Sequence, residues 1–211
     1  MIRICRITLT LFFLVSAYVS AHPHSFIDLD ASLLIEKQAL VGIKMSWEMD
    51  ELTSAELLLD AAMAKDNPHV WQSMADELME NTRNQLYFTY MKSGDKPVKF
   101  AEQTSNYSLH RNGNKAVLTF VLPLAKPVPL ANNTISVSTY EESYYVDMRY
   151  LSDKSVHIPA EITEICSMKL VTPKPSTSLL SYARSLDKNN SPGEDMRLGS
   201  KFAQTITLTC K

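Results

Sequence analysis

Glycine and cysteine are scarce in this sequence, and charge of neither sign dominates it. The 211 residues include 5 Gly and 3 Cys, and the formal net charge is −2. Three cysteines cannot cross-link a disulfide-rich miniprotein, and the balanced charge does not indicate nucleic acid as a partner. The sequence also lacks a glycine-rich phosphate loop and the G-x-S-x-G and H-E-x-x-H motifs. The enzyme classes that such motifs identify are therefore without support.

The apolar content is high enough for a folded protein. Hydrophobic residues make up 45% of the chain and charged residues 21%. This composition excludes an intrinsically disordered chain. The full length of the chain suffices for one sizeable domain or two small ones.

Residues 1–21 have the features of a secretory signal peptide. Arg3 and Arg6 supply positive charge, an uncharged apolar stretch follows, and the small residues of segment 19–21 fit a cleavage site. The apolar stretch is short for a membrane span of about 20 residues, although an uncleaved anchor is the alternative. Cleavage after this segment would leave an exported chain that begins at His22.

Two cysteines would remain after cleavage, Cys166 and Cys210. An exported compartment is oxidising, so an even pair of cysteines predicts a disulfide. A pair of metal-binding thiolates is the alternative, although neither cysteine belongs to a C-x-x-C motif. The disulfide would tie a loop-rich C-terminal segment, 172–211, back to the main domain, 22–171. A short helix is predicted around 179–186 within that segment.

Apolar and polar residues alternate in two neighbouring segments after the predicted cleavage site. The apolar positions are odd-numbered in both 27–35 and 41–49. This period of two predicts a pair of half-buried strands joined as a hairpin. A turn centred on Gln38 pairs Asp28 with Glu48, which keeps both apolar faces on one side of the sheet.

Two helices are predicted after this hairpin, and further strands follow them. The Thr-Ser-Ala-Glu segment at 53–56 has the capping-box pattern of a helix start, and the Asn-Pro pair at 67–68 has the N-cap and N1 pattern. From Gln85 onward the pattern indicates strands, with the strongest hairpin signal at the Asn-Gly pair 112–113. The predicted fold class is α+β, a mostly antiparallel β-sheet with a two-helix insertion after the first hairpin.

The predicted mature N-terminus carries two histidines, His22 and His24, on either side of Pro23. An N-terminal histidine offers its α-amine and its imidazole together, and imidazole ligands suit zinc, copper and nickel. Pro23 has no backbone N–H, which excludes the square-planar copper site that needs a deprotonated amide at that position. A metal site here therefore needs further ligands from elsewhere in the fold.

The predicted hairpin register brings acidic residues close to these histidines. Phe26 pairs with Asp50, which places Asp50 one diagonal step from His24. Two imidazoles with one or two carboxylates form a ligand set that zinc accepts. The alternative is an ordinary solvated terminus beside an ordinary acidic strand face.

Five short motifs occur in an order known from one bacterial family. They are Ala-His-Pro-His-Ser-Phe-Ile-Asp at 21–28, Trp-Glu-Met-Asp-Glu at 47–51, Tyr-Phe-Thr at 87–89, Phe-Val-Leu-Pro-Leu at 120–124 and the segment 140–148, which contains Asp147. Together they resemble the exported family called domain of unknown function one-thousand-and-seven. Its members are described as periplasmic components of an uncharacterised ABC-type transport system, and ZevA-like zinc-utilisation proteins belong with them.

The resemblance implies a periplasmic protein that binds metal, with zinc as the expected ion and copper or nickel as alternatives. It also implies a partner, an inner-membrane metal permease of the nickel/cobalt exporter type or an ABC-type transport system. The protein itself would be peripheral to the membrane at most. The implied ligand set is His22 and His24 as primary ligands, with Asp50 and Asp147 completing or orienting the site.

Two other classes of function stay open. An N-terminal histidine brace can hold redox-active copper, so a copper-binding enzyme is one alternative, and it would need an open coordination position. A metal-free structural subunit of the transport complex is the other. The expected function is the accessory protein and not an enzyme.

Overall fold

Two β-sheets form the framework of the protein in its computed structural model, which describes residues 23–102, 104, 106–186 and 197–211. The predicted signal peptide at 1–21 and the candidate ligand His22 lie outside the described residues. Three α-helices occur among the described residues, α1 (Glu51–Met63), α2 (Pro68–Asn84) and α3 (Thr177–Ser185). The strands of the same residues are β1 (Ser25–Glu36), β2 (Ala39–Met49), β3 (Thr89–Ser93), β4 (Lys96–Val98), β5 (Tyr107–Asn112), β6 (Lys115–Pro129), β7 (Thr134–Thr139), β8 (Val146–Tyr150), β9 (Val156–His157), β10 (Cys166–Val171) and β11 (Thr205–Cys210).

The two sheets are mostly antiparallel. The first has the order β5-β6-β2-β1-β8 with β9 also beside β1, and the second has the order β10-β11-β7-β3-β4. The parallel pairings are those of β1 with β8 and of β1 with β9. Helices α1 and α2 follow the first two strands, and α2 begins at Pro68 with Asn67 as its N-cap, as predicted. The predicted α+β class with a two-helix insertion after the first hairpin is confirmed.

The first hairpin has the predicted register, with Asp28 opposite Glu48, but it reaches that register through a bulge. Residues 37–38 form a two-residue turn with left-handed backbone angles, φ 47° and 61°. Such a turn alone would place Trp47 opposite Asp28 and turn the apolar faces of the strands to opposite sides. The bulge at Val41 adds one residue to β2 and restores the match.

One core contains side chains from both sheets. Phe120 of β6 is fully buried, and its ring meets the Trp47 ring edge-on with centroids 4.8 Å apart. The Tyr87 ring also stacks against Phe120, with centroids 6.3 Å apart. The second sheet contributes Met91 and Leu208 to the same core. The odd-numbered side chains of β1 from Ile27 to Leu33 and of β2 from Ile43 to Met49 enter this core, so the even-numbered ones of these two stretches point away from it.

The C-terminal segment 172–211 contains α3 and β11. Helix α3 lies where the short helix around 179–186 was predicted, and β11 is an inner strand of the second sheet, between β10 and β7. Cys166 and Cys210 are direct register partners across β10 and β11, with Cα atoms 4.0 Å apart, and they form the predicted disulfide. The segment is therefore joined to the sheet by strand pairing on both sides of β11 and by a covalent bond.

Candidate functional site

His24 is fixed at the start of β1 by Tyr145, which lies just before β8. The His24 backbone N–H donates to the Tyr145 carbonyl oxygen at 2.9 Å, and the two rings lie 4.6 Å apart between centroids. These contacts continue the parallel pairing of β1 with β8, in which Ser25 is opposite Val146. The histidine is therefore held against the sheet at a defined position.

Asp147 lies on the same sheet face, close to His24 in register. It is opposite Phe26, one pair beyond Ser25, and Asp28 is opposite Arg149 on the same face. Burial raises the pKa of the Asp147 carboxyl. The positive charge of Arg149 opposes this rise, and the negative charge of Asp28 adds to it. Among the described residues, no hydrogen bond to this carboxylate is found. A carboxylate that has lost water without gaining a donor is stabilised strongly by a nearby cation.

Asp50 is the N-cap of α1 and also binds the backbone of β1. Its Oδ1 accepts hydrogen bonds from the N–H groups of Leu52 and Thr53 at 2.9 and 3.0 Å. Its Oδ2 accepts from the Phe26 N–H at 2.7 Å and from the Thr53 hydroxyl at 2.6 Å. Since a carboxylate offers about four lone-pair sites, its accepting capacity is used in full. Asp50 therefore positions the chain two residues after His24.

This role of Asp50 corrects the predicted start of the first helix. The capping-box pattern at 53–56 predicted Thr53 as the cap, whereas α1 begins at Glu51. The Asp50 carboxylate reaches the free N–H groups of the first turn, and the Thr53 hydroxyl donates to it. Burial alone raises the pKa of Asp50, but the hydrogen bonds from Thr53, Phe26 and Leu52 outweigh it and lower the pKa.

We expect Asp50→Ala to lower the free energy of unfolding by about 2 kcal/mol at pH 7, the upper range for losing an N-cap. Because the folded pKa is lowered, this stability is fully present above the unfolded pKa of about 3.9. It is lost as the pH falls through the folded pKa. Urea unfolding at pH 7 and pH 3 measures both effects.

The exposed Asp60 of α1 provides the matched control. We expect Asp60→Ala to change the free energy of unfolding by less than about 0.5 kcal/mol. An equal loss in both variants, or a loss in Asp50→Ala that persists undiminished at pH 3, contradicts the capping role.

Two other acidic side chains of this face, those of Asp28 and Glu48, are paired with cations. Lys115 Nζ lies 2.7 Å from Glu48 Oε1 and 3.8 Å from Asp28 Oδ2. Arg149 Nε lies 3.3 Å from Asp28 Oδ1, and Asn112 donates to Glu48. The Lys115 hydrogen bond lowers the pKa of Glu48 although burial opposes it. These carboxylates belong to an ion-pair network along the sheet.

The strand register places Asp147 one diagonal step from His24 on the same sheet face, and Asp50 holds the neighbouring backbone in a structural role. No cluster of three or more His, Cys, Asp or Glu side chains suited to a metal is found in the part of the chain that the structure describes. His22, the fourth predicted ligand, lies outside that part. Sequence reasoning missed Tyr145, because its contact with His24 depends on pairing two strands about 120 residues apart.

The described residues define an α+β protein with two β-sheets and a disulfide, which fits a periplasmic or extracellular protein. No helix among these residues is long and apolar enough to cross a membrane. The family model described as "Protein of unknown function (DUF1007)" matches residues 7–210, and the chain belongs to this family. A relative from Haemophilus influenzae, described as "Uncharacterized protein", is 35% identical over 198 residues, which cover 93% of this chain and 95% of the relative.

Proposed function

We propose that this protein is a periplasmic metal-binding accessory protein, with zinc as its metal and no catalytic activity of its own. The observation that supports this most is the position of His24 and Asp147 one diagonal step apart on the same face, at one end of the first sheet. His24 is held there by Tyr145, and Asp147 has a half-buried carboxyl with a raised pKa. An imidazole and a carboxylate are two of the ligand types that zinc accepts.

His22 supplies the remaining ligands in this proposal. After removal of residues 1–21 it would offer an imidazole and an α-amine two residues before His24, within reach of the same ion. Together with His24 and Asp147 these groups could give the four-coordinate shell that zinc prefers. Asp50 acts as a positioning residue, because its hydrogen bond to the Phe26 N–H fixes the strand that carries His24.

The proposed partner is an inner-membrane metal permease of the nickel/cobalt exporter type or an ABC-type transport system. This part of the proposal rests on the motifs shared with exported proteins of the family, described as transport components. A site at the end of a strand, built partly from the chain terminus, suits a protein that receives and releases an ion. Co-purification of the permease with this protein tests the partnership.

A competition titration against a chromophoric zinc chelator tests the metal site. We expect the chain 22–211 to bind a single zinc ion, and His24→Ala to weaken binding at least 100-fold because it removes a primary ligand. Asp147→Asn should weaken it about 10- to 100-fold. His157→Ala is the matched control, since His157 pairs with Asp30 at 2.9 Å on the same sheet.

Three outcomes contradict this proposal. Equal zinc affinity in the wild type and the His24→Ala variant removes the site. Copper-dependent oxidase activity of the chain 22–211 favours the copper-binding enzyme, whereas tighter binding of copper than of zinc decides nothing, because imidazole and carboxylate sites bind Cu²⁺ more tightly in general. Co-purification with the permease that a chelator does not affect, together with the absence of zinc binding, favours a metal-free structural subunit.

A further inference from the structure

A cavity of about 870 Å³ opens beside the second sheet, and none of the described candidate metal ligands lines it. It exists because β4 covers only part of β3, pairing with residues 91–93. The chain then leaves this edge, and Phe100 forms a bridge with Leu124 of the first sheet. Among the described residues, no strand lies beside residues 89–90 on this edge of β3, opposite the edge that pairs with β7. The volume lies within the range of about 300–1,000 Å³ typical of small-molecule sites.

The turn at the mouth of this cavity is strained. Leu86, Tyr87 and Phe88 have φ angles of 52°, 55° and 47°, a left-handed conformation that residues other than glycine rarely adopt. The turn buries Tyr87, whose hydroxyl donates to the Glu102 carbonyl oxygen at 3.4 Å, and leaves Leu86 67% exposed. Conformations of this kind cluster at active sites and ligand sites. The turn presents an apolar side chain to solvent beside the cavity.

One wall of the cavity carries a stacked pair of tyrosines next to hydroxyl groups. Tyr90 and Tyr140 stack with centroids 4.5 Å apart and ring planes 17° from parallel. Ser138 lies opposite Tyr90 in the register of β3 and β7, and its hydroxyl is 2.8 Å from that of Thr205 on β11. The Tyr90 hydroxyl donates to Glu142 at 3.1 Å, which fixes its ring. This wall suits a planar or apolar body with few polar atoms.

The charges around the cavity are predominantly positive. Arg83, Lys92 and Lys99 line it, and Glu102 is the one carboxylate among the described lining residues. Lys92 lies two residues after Tyr90 on β3, so both side chains point to the same side of the sheet. A ligand lying on the tyrosines would therefore have an ammonium group close to its end.

We infer that this cavity binds a small organic anion with a planar or apolar body. The body lies against Tyr90 and Tyr140, and the anionic group is bound by Lys92 and Lys99. The complementary charge favours an anion over a neutral molecule, and the volume matches a small molecule. This site is separate from the proposed metal site and does not depend on bound metal.

Two fluorescent dyes test this inference on the chain 22–211. The anionic probe is 1-anilinonaphthalene-8-sulfonate, and the neutral probe is N-phenyl-1-naphthylamine, which has a similar ring system without the sulfonate. We expect saturable binding of both dyes to the wild type. The double variant Lys92→Gln/Lys99→Gln should bind the anionic dye about tenfold more weakly and the neutral dye within about twofold, since the lysines contact only the anionic group.

Two further variants guard against non-specific effects. Lys169→Gln removes an exposed lysine of β10 outside the cavity and should leave the binding of both dyes unchanged. Ala203→Trp places a large side chain in the cavity and should abolish binding of both dyes, with folding verified by circular dichroism. Absence of saturable binding to the wild type, an equal loss in Lys169→Gln, or an equal loss of both dyes in the lysine double variant overturns the inference.

Discussion

The double variant Cys166→Ala/Cys210→Ala is expected to unfold about 10 °C below the wild type. The disulfide closes a sequence separation of 44 residues. In the chain-entropy description a loop of this length contributes about 4 kcal/mol to stability, which is about 8–16 °C for a domain of this size. Its loss acts on β11, an inner strand that comes last in the chain. Thermal unfolding followed by circular dichroism measures the shift.

A matched control tests whether the shift in midpoint comes from loss of the disulfide and not from substitution at this place in β10. Ser167→Ala alters an exposed position next to Cys166 on β10 and should shift the midpoint by less than about 2 °C. The wild type unfolded in the presence of a reductant should resemble the double variant. A midpoint in the double variant within about 2 °C of the wild type contradicts the assigned role of the bond.

Phe120→Ala is expected to lower the free energy of unfolding by about 3–5 kcal/mol, the range for deleting a buried aromatic ring. Phe120 is fully buried and packs against the Trp47 and Tyr87 rings. Its strand β6 is an inner strand of the first sheet, so the cavity left by the ring would lie in the core against that sheet. Urea unfolding followed by tryptophan fluorescence measures the loss, because Trp47 contacts the altered site.

Two further variants test whether the loss of stability comes from packing around Phe120. Phe120→Leu retains most of the volume and should cost less than about 1.5 kcal/mol. Leu59→Ala changes a side chain of α1 that is 59% exposed and should change stability by less than about 0.5 kcal/mol. Similar losses in Phe120→Ala and Leu59→Ala contradict the position of Phe120 in the core.

The local parts of the fold could be predicted because they depend on neighbouring residues. The alternation in 27–35 and 41–49 required odd positions to pair with odd ones, and a turn centred on Gln38 then gave the correct pairing of Asp28 with Glu48. The bulge at Val41 was not predicted. It buries Leu40 on the turn side, where the alternation had predicted Val41.

The non-local parts could not be predicted from these patterns. The parallel pairing of β1 with β8, which brings Asp147 and Tyr145 to His24, joins segments about 120 residues apart and leaves no periodic signal. The division of the strands into two sheets also depends on pairing between segments that lie far apart in the chain. Asp147 was implied only by the family motif, and the motif alone did not show that its carboxyl is half-buried.

Two further features escaped prediction for physical reasons of their own. The end of β2 places the Asp50 carboxylate in front of four donors, and this tertiary arrangement overrides the capping-box pattern at 53–56. The left-handed turn at 86–88 contains no glycine, so residue type does not indicate its conformation. The cavity beside β3 depends on that turn and on the early departure of the chain after β4.

Native mass spectrometry of the protein, exported in a bacterial host and purified without added metal, tests the central claim most directly. We expect the mass of a chain that begins at His22, with its disulfide formed and a single zinc ion bound. The His24→Ala variant should give the same processed chain without zinc. A wild-type mass that includes residues 1–21, that lacks zinc, or that shows the same zinc content as the variant would contradict it.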